Sequence, residues 1–231
     1  MITAIIYFYL TLLFDIEKVT TFEGKSKNLF VERDIKKVDL VNIFDYISDT
    51  TVEIMYSTKY SMFKEDVYGE NICLLKKEVA EKLKKADDIL RSKHNLKLKF
   101  WDCYRPWSVQ KKMWELFPKM GYVAHPSSGS HHNRGCAVDV TLTDLDGNEI
   151  KMPTAFDELS FKASHKNVNL PKEVIKNRET LKSVMESVGF LSIKSEWWHY
   201  NLPKSYKLPV IDIELSKFNK KTNEILFPPL D

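Results

Sequence analysis

The chain has 231 residues, 35 Lys+Arg against 32 Asp+Glu for a formal net charge of +3, and 43% hydrophobic and 12% aromatic residues. That composition supplies a sizeable core and excludes disordered, collagen-like and low-complexity classes. Lysines are abundant but dispersed, with no run of five like charges, so the sequence offers no electrostatic footprint for nucleic acid.

Residues 2–14 (ITAIIYFYLTLLF) carry no charge. They are too few to span a bilayer as a helix, which takes about 20 residues. The length suits the apolar core of a secretion signal. Yet no basic residue precedes it and no small-x-small cleavage pattern follows, so a buried strand or helix is an equal reading and the cellular location stays open. We assign residues 1–33 to an N-terminal arm and residues 34–231 to one domain, because no repeat or long Pro/Gly/Ser linker divides the rest.

In residues 75–94, Val79, Leu83, Ala86 and Leu90 recur three or four apart among charges, the pattern of an amphipathic helix. Residues 96–101 (LKLKFW) alternate with period two and predict a half-buried strand, after which Pro106 permits a helix over 107–116. Residues 137–142 predict a second strand, and the Asp-Gly pair at 146–147 a turn after it. Pro171 opens a helix over 172–188, with Val174, Ile175, Leu181, Val184 and Met185 on one side and Gly189 as its C-cap. Two short strand-like pieces follow at 190–193 and 197–200. Helices mixed with short strands, without βαβ alternation, predict an α+β fold. The tail from 202 to 231 reads as surface wrapping. Three cysteines, Cys73, Cys103 and Cys136, cannot all pair within the chain and show no C-x-x-C spacing, so no disulfide scaffold is expected.

Chemistry-bearing residues concentrate in one region. Residues 127–139 (SSGSHHNRGCAVD) form a Gly-rich loop that delivers His131 or His132, then Asp139 on the following strand. Imidazole and carboxylate are ligands that zinc accepts without thiolate, and a catalytic zinc usually takes three of them. Glu196 and His199, in E-W-W-H, supply a third candidate and a carboxylate beside it.

Together, Ser130-x-His132-x-x-Gly135-x-Ala137-x-Asp139, Glu196-Trp-Trp-His199 and Tyr104-Arg105-Pro106 resemble the VanX-type D-alanyl-D-alanine dipeptidases. These are zinc metallopeptidases sharing the fold of D,D-carboxypeptidases and the hedgehog signalling domain. The resemblance runs from about Tyr56 to Tyr200 and includes Lys59-Tyr60 and Met152-Pro-x-x-Phe156-Asp157. It implies a small, mostly antiparallel sheet flanked by helices, with one zinc ion on the sheet, and a role in cell-wall chemistry.

Position by position, it implies that His132, Asp139 and His199 are the zinc ligands, that Glu196 is the general base and that Arg105 steadies the scissile carbonyl oxygen. Tyr60 and Asp157 would hold the substrate's ammonium, and Ser130 would border its carboxylate. Met152-Pro153 stands where the family usually has Met-Gly, and His131 where it commonly has a smaller residue. The implied partner is a small dipeptide. The alternatives are a D,D-carboxypeptidase or endopeptidase of peptidoglycan, and a zinc-binding module without catalysis.

Overall fold

The computed structural model describes residues 16–20 and 26–218, so the apolar run at 2–14 lies outside the described residues. In chain order its strands and α-helices are β1 (Ile16–Thr20), β2 (Ser26–Glu32), β3 (Leu40–Asn42), β4 (Thr51–Val52), β5 (Leu74–Lys76), α1 (Lys77–His94), β6 (Leu96–Asp102), α2 (Trp107–Leu116), β7 (Ala137–Asp144), α3 (Lys172–Ser187), β8 (Leu191–Ser192), β9 (His199–Asn201) and β10 (Val210–Ile211). The expected α+β class is met. The central sheet has the order β4-β6-β7-β9-β8, with β4 parallel to β6 and all other pairs antiparallel.

Strand β7 is the middle of this sheet and is buried from Ala137 to Thr143. A strand covered on both faces needs apolar or hydrogen-bonded residues at every position rather than alternation. Helix α1 lies against β6 and turns inward the face its spacing predicts, Val79, Leu83, Ala86 and Leu90. Each buried leucine there stabilises the fold by about 2 kcal/mol. Asp87 sits on the same buried face because its carboxylate accepts the Leu98 backbone N–H at 3.0 Å. Asn95 ends the helix in the left-handed region at φ 56°, its N–H bonded to the Leu90 carbonyl.

Helix α3 packs on α1 and buries Val174, Leu181, Val184 and Met185. Ile175, expected on that face, is only partly buried, whereas Arg178 goes inside and donates to the carbonyls of Ser164 and Asn167 at 3.3 and 2.7 Å. The periodicity was correct, but a guanidinium with carbonyl partners can occupy a position that hydropathy reserves for an aliphatic residue.

Two features depart from the sequence reading. Cys73 and Cys103 form a disulfide with Cα atoms 5.2 Å apart, and Cys136 is free and buried. An odd cysteine count does not exclude one bridge. The pairing joins the residue before β5 to the residue after β6, a proximity that only the folded topology creates. The tail also does more than wrap the surface: Ile211, Ile213, Leu215 and Phe218 belong to the main core. The Tyr104 hydroxyl fixes it there, donating to the Ile213 carbonyl and accepting the Ile213 N–H, both at 2.9 Å. Strand β10 pairs in parallel with β2, so Leu29 and Val31 of the arm join Trp107 and Val210 in a small second cluster. Among the described residues, no helix is long and apolar enough to cross a membrane.

Candidate metal centre and active site

Three strands bring their ends to one place. Asp102 at the end of β6 pairs with Asp139 on β7, and Asp139 pairs with His199 at the start of β9. His132 comes from outside the sheet, on a 3₁₀ turn that Gly135 ends at φ 64°. A side chain at Gly135 would be strained at that φ, and its Cβ would stand 2.7 Å from Leu40 Cδ2.

The His132 Nδ1–H donates to the Cys103 carbonyl at 2.8 Å, which leaves Nε2 as the lone-pair nitrogen. That Nε2 lies 3.2 Å from His199 Nδ1 and 3.5 Å from Asp139 Oδ1, and His199 Nδ1 lies 3.0 Å from Asp139 Oδ1. The three side chains are buried, and one ligand atom from each falls within 4.8 Å of the others. Lone pairs converging in a buried place repel unless a cation sits among them, so the donor set fits a metal, and its nitrogen and oxygen character suits zinc. The Cys103 carbonyl is the outer partner that orients the ring of His132. Burial alone would raise the Asp139 carboxyl, but His132 and His199 outweigh it and hold that carboxyl well below the usual range.

Arg105 lies three residues past the end of β6, and Pro106 after it caps α2. Its Nε–H donates to the Tyr68 hydroxyl at 3.0 Å, Nη1 to Gln110 Oε1 at 2.8 Å and Nη2 to Asp102 Oδ2 at 2.5 Å, while its Cζ lies 5.1 Å from the centre of the Tyr56 ring. Tyr68 in turn donates to Asp102 Oδ1 at 2.6 Å. The guanidinium is therefore held rigidly, with N–H groups remaining on both terminal nitrogens.

Glu196 and His199 are anchored by the two tryptophans between them. Trp197 and Trp198 are buried, with ring centres 5.6 Å from Trp101 and 5.5 Å from Phe156, respectively. The Trp197 indole N–H donates to Thr154 Oγ1 at 2.9 Å, and the Trp198 carbonyl accepts the Val140 N–H at 3.1 Å.

The loop after Met152-Pro153 delivers Asp157 in the left-handed region at φ 58°, a conformation that costs of order 1 kcal/mol and recurs at functional sites. Its Oδ1 accepts the Tyr56 hydroxyl at 3.0 Å, and its buried Oδ2 has no hydrogen-bond partner among the described residues. Burial, reinforced by Asp139, pushes the Asp157 carboxyl up to about 7. Burial likewise raises Glu196 to about 7, against the pull of His199.

One cavity of about 370 Å³ gathers Arg105, Ser130, His132, Asp139, Asp157, Glu196 and His199. Tyr60 is not brought into it: that residue is 78% exposed, and Tyr56 stands beside Asp157 instead. Sequence reading also missed Asp102, Tyr68 and Gln110, the groups that hold Arg105. Asp102 stands two residues before the Tyr104-Arg105-Pro106 motif, but nothing in the sequence separates Tyr56 from Tyr60.

An α+β fold with a buried His-Asp-His cluster beside a carboxyl and a fixed guanidinium, in one cavity, holds the groups that a metallopeptidase needs. The family profile described as D-Ala-D-Ala dipeptidase, within the M15 peptidases, matches residues 36–221. The chain is 34% identical over 181 residues to the D-alanyl-D-alanine dipeptidase of Escherichia coli K12, covering 78% of this chain and 92% of that protein. It is 30% identical over 197 residues to the D-alanyl-D-alanine dipeptidase of Enterococcus faecium, covering 71% and 95%. Against the protein of that name from Enterococcus faecalis V583 it is 31% identical over 190 residues, covering 70% and 92%. The chain belongs to the D-Ala-D-Ala dipeptidase family of the M15 peptidases, and it is an enzyme of the metallodipeptidase class.

Proposed function

We propose that this protein hydrolyses free D-Ala-D-Ala to two D-alanines, with a zinc ion held by His132 Nε2, Asp139 Oδ1 and His199 Nδ1. When bound there, zinc supplies Lewis-acid polarisation of the scissile carbonyl and lowers the pKa of a water. Glu196 takes the proton of the attacking water and passes it to the departing amine, a transfer suited to a carboxyl poised near neutrality. Arg105 directs its remaining N–H groups at the carbonyl oxygen as negative charge grows there. Its partners Tyr68, Gln110 and Asp102 fix it before the reaction, and loss of such a group costs on the order of 100- to 1,000-fold in rate.

The observation that carries this reading is the unpartnered Oδ2 of Asp157. A buried carboxylate oxygen without a donor is unfavourable in the free protein, and the ammonium of a free dipeptide supplies the missing donor. Tyr56 holds Oδ1 and so aims the carboxylate, taking the part that the resemblance gives to Tyr60. Ser130 borders the carboxylate end.

One observation favours a second reading, cleavage of longer wall peptides. A groove of about 310 Å³, lined by Phe161, Lys166 and Lys194, shares Tyr122, Leu159 and Glu196 with the cavity and could carry a chain beyond the dipeptide. Release of D-alanine from D-Ala-D-Ala, with and without a chelator and beside an N-acylated control, separates the readings. Chelator-sensitive cleavage of the free dipeptide alone supports the first, and cleavage of the acylated control supports the second.

A further inference from the structure

Recognition of a dipeptide needs a partner for each end, and the carboxylate end lacks an obvious one. Arg105 is the one Lys or Arg lining the cavity among the described residues, and it is already paired with Asp102. The loop from His125 to His132 forms one wall, and five of its amides are occupied within the loop and its 3₁₀ turn. The Ser127 N–H goes to His125 Nδ1, those of Ser128 and Gly129 to the His125 carbonyl, that of Ser130 to Asn133 Oδ1 and that of His132 to Ser130 Oγ. The Ser128 hydroxyl also donates to the His125 carbonyl.

His131 offers no N–H from its ring either. The Ser205 hydroxyl donates its proton to the Leu202 carbonyl, so His131 Nδ1, 2.6 Å from that oxygen, must be the donor between them. In the neutral ring, Nε2 is then a bare acceptor.

His125 is locked in the opposite sense. A backbone N–H reaches its Nδ1 at 3.1 Å and the Ser127 hydroxyl lies 2.7 Å from the same atom, so Nδ1 is an acceptor and the ring's proton sits on Nε2. Edge-on packing against Trp114, with ring centres 4.7 Å apart, fixes the plane of the ring. His125 lines the cavity, and no hydrogen bond among the described residues engages its Nε2.

We propose that His125 Nε2–H is a substrate-binding donor for the carboxylate of the dipeptide, acting beside the Ser130 hydroxyl, and so a determinant of specificity for a free C-terminus. The assignment rests on the dipeptidase reading above. It is tested by steady-state kinetics of metal-loaded wild type, His125→Phe and His125→Gln on D-Ala-D-Ala and on its C-terminal amide.

Phenylalanine keeps a ring against Trp114 but removes the N–H, whereas the glutamine amide nitrogen comes close to the place of Nε2. The expected result is that His125→Phe raises KM for the free dipeptide about 10-fold, the loss of one charge-assisted hydrogen bond, with the change falling on KM rather than kcat. KM for the amide should move less than 2-fold, metal content should be unchanged, and His125→Gln should recover most of the affinity. Equal changes on acid and amide, or no recovery by glutamine, overturn the assignment and leave the dipeptidase reading intact. Wild-type protein that turns over neither compound overturns both.

Discussion

Asp157 is the residue at which binding and stability should oppose each other. In the free protein its carboxyl is raised from the ordinary 3.8 to about 7, first by burial and then by Asp139, with one oxygen unpartnered. An unfolded carboxyl ionises near 3.8, so the native state resists ionisation and stability is lost as pH rises from about 4 to about 7. The full difference corresponds to roughly 4 kcal/mol, and partial solvent access at this half-buried residue reduces it to about 2.

Asp157→Asn keeps the shape and the Tyr56 contact but removes the charge. The metal-free variant should therefore melt about 5 °C or more above the wild type at pH 7.5, and the gap should close at pH 4. The same change deletes the charged acceptor for the ammonium, so kcat/KM for D-Ala-D-Ala should fall about 10- to 100-fold, mainly through KM. Differential scanning calorimetry across pH, paired with kinetics on free and N-acetylated dipeptide, reads both effects. A variant no more stable than wild type at pH 7.5, or one that loses equally on both substrates, would refute the reasoning.

Glu196→Gln should lower kcat by at least about 1,000-fold with the metal still bound; measurable turnover in a variant of verified metal content would remove Glu196 as the base. His132→Ala, lacking one of three ligands, should bind less than one zinc per chain by elemental analysis, and unchanged stoichiometry would count against the ligand set. His165, whose side chain does not line the cavity, offers a separate stability test: burial, aided by Lys182 and Arg178, lowers its pKa to about 4, and neither ring nitrogen has a partner among the described residues. Because the unfolded imidazole takes its proton near 6.5, the wild type should lose stability as pH falls from about 6.5 to about 4. His165→Leu should lose less over that range, and a gap between the two that does not change with pH would exclude the buried imidazole as the cause.

Much of the fold was legible because local pattern and tertiary role agree. The helix at 107–116 follows from Pro106 and coincides with the observed α2, and the face of α1 follows from the spacing of Val79, Leu83, Ala86 and Leu90. The His-Asp-His cluster was legible for a different reason: each short pattern is weak alone, and the joint occurrence of Ser130-x-His132, Asp139 and Glu196-x-x-His199 carries the family resemblance, which also picks His132 over His131; the fold then brings His132, Asp139 and His199 together. What escaped were contacts made at long range. The partner of Cys103 lies 30 residues away, and Tyr68 reaches Asp102 across 34. Choosing Tyr56 over Tyr60 depends on which tyrosine faces inward in a stretch of turns, where no period guides the eye. The C-terminal tail read as surface wrapping because its prolines and lysines interrupt any regular period, yet Leu202, Ile211, Ile213, Leu215 and Phe218, spaced irregularly along it, join the main core.

The cross-strand pairing of Asp139 with His199 has a consequence for how affinity for a metal can change. Two of the three proposed ligands are opposite partners in an antiparallel ladder, so the separation of their backbones is set by the repeat distance of a β-sheet, a length that side chains hardly alter. The ladder is short, three residues of β9 against β7, and a slip of one residue would present Trp198 or Tyr200 in place of the imidazole and turn His199 to the opposite face. The residues that keep this register, with Trp197 and Trp198 packed beneath, therefore act as gauge blocks for the cluster. Substitutions in them are expected to appear in a titration as altered metal selectivity, although none of them belongs to the proposed ligand set.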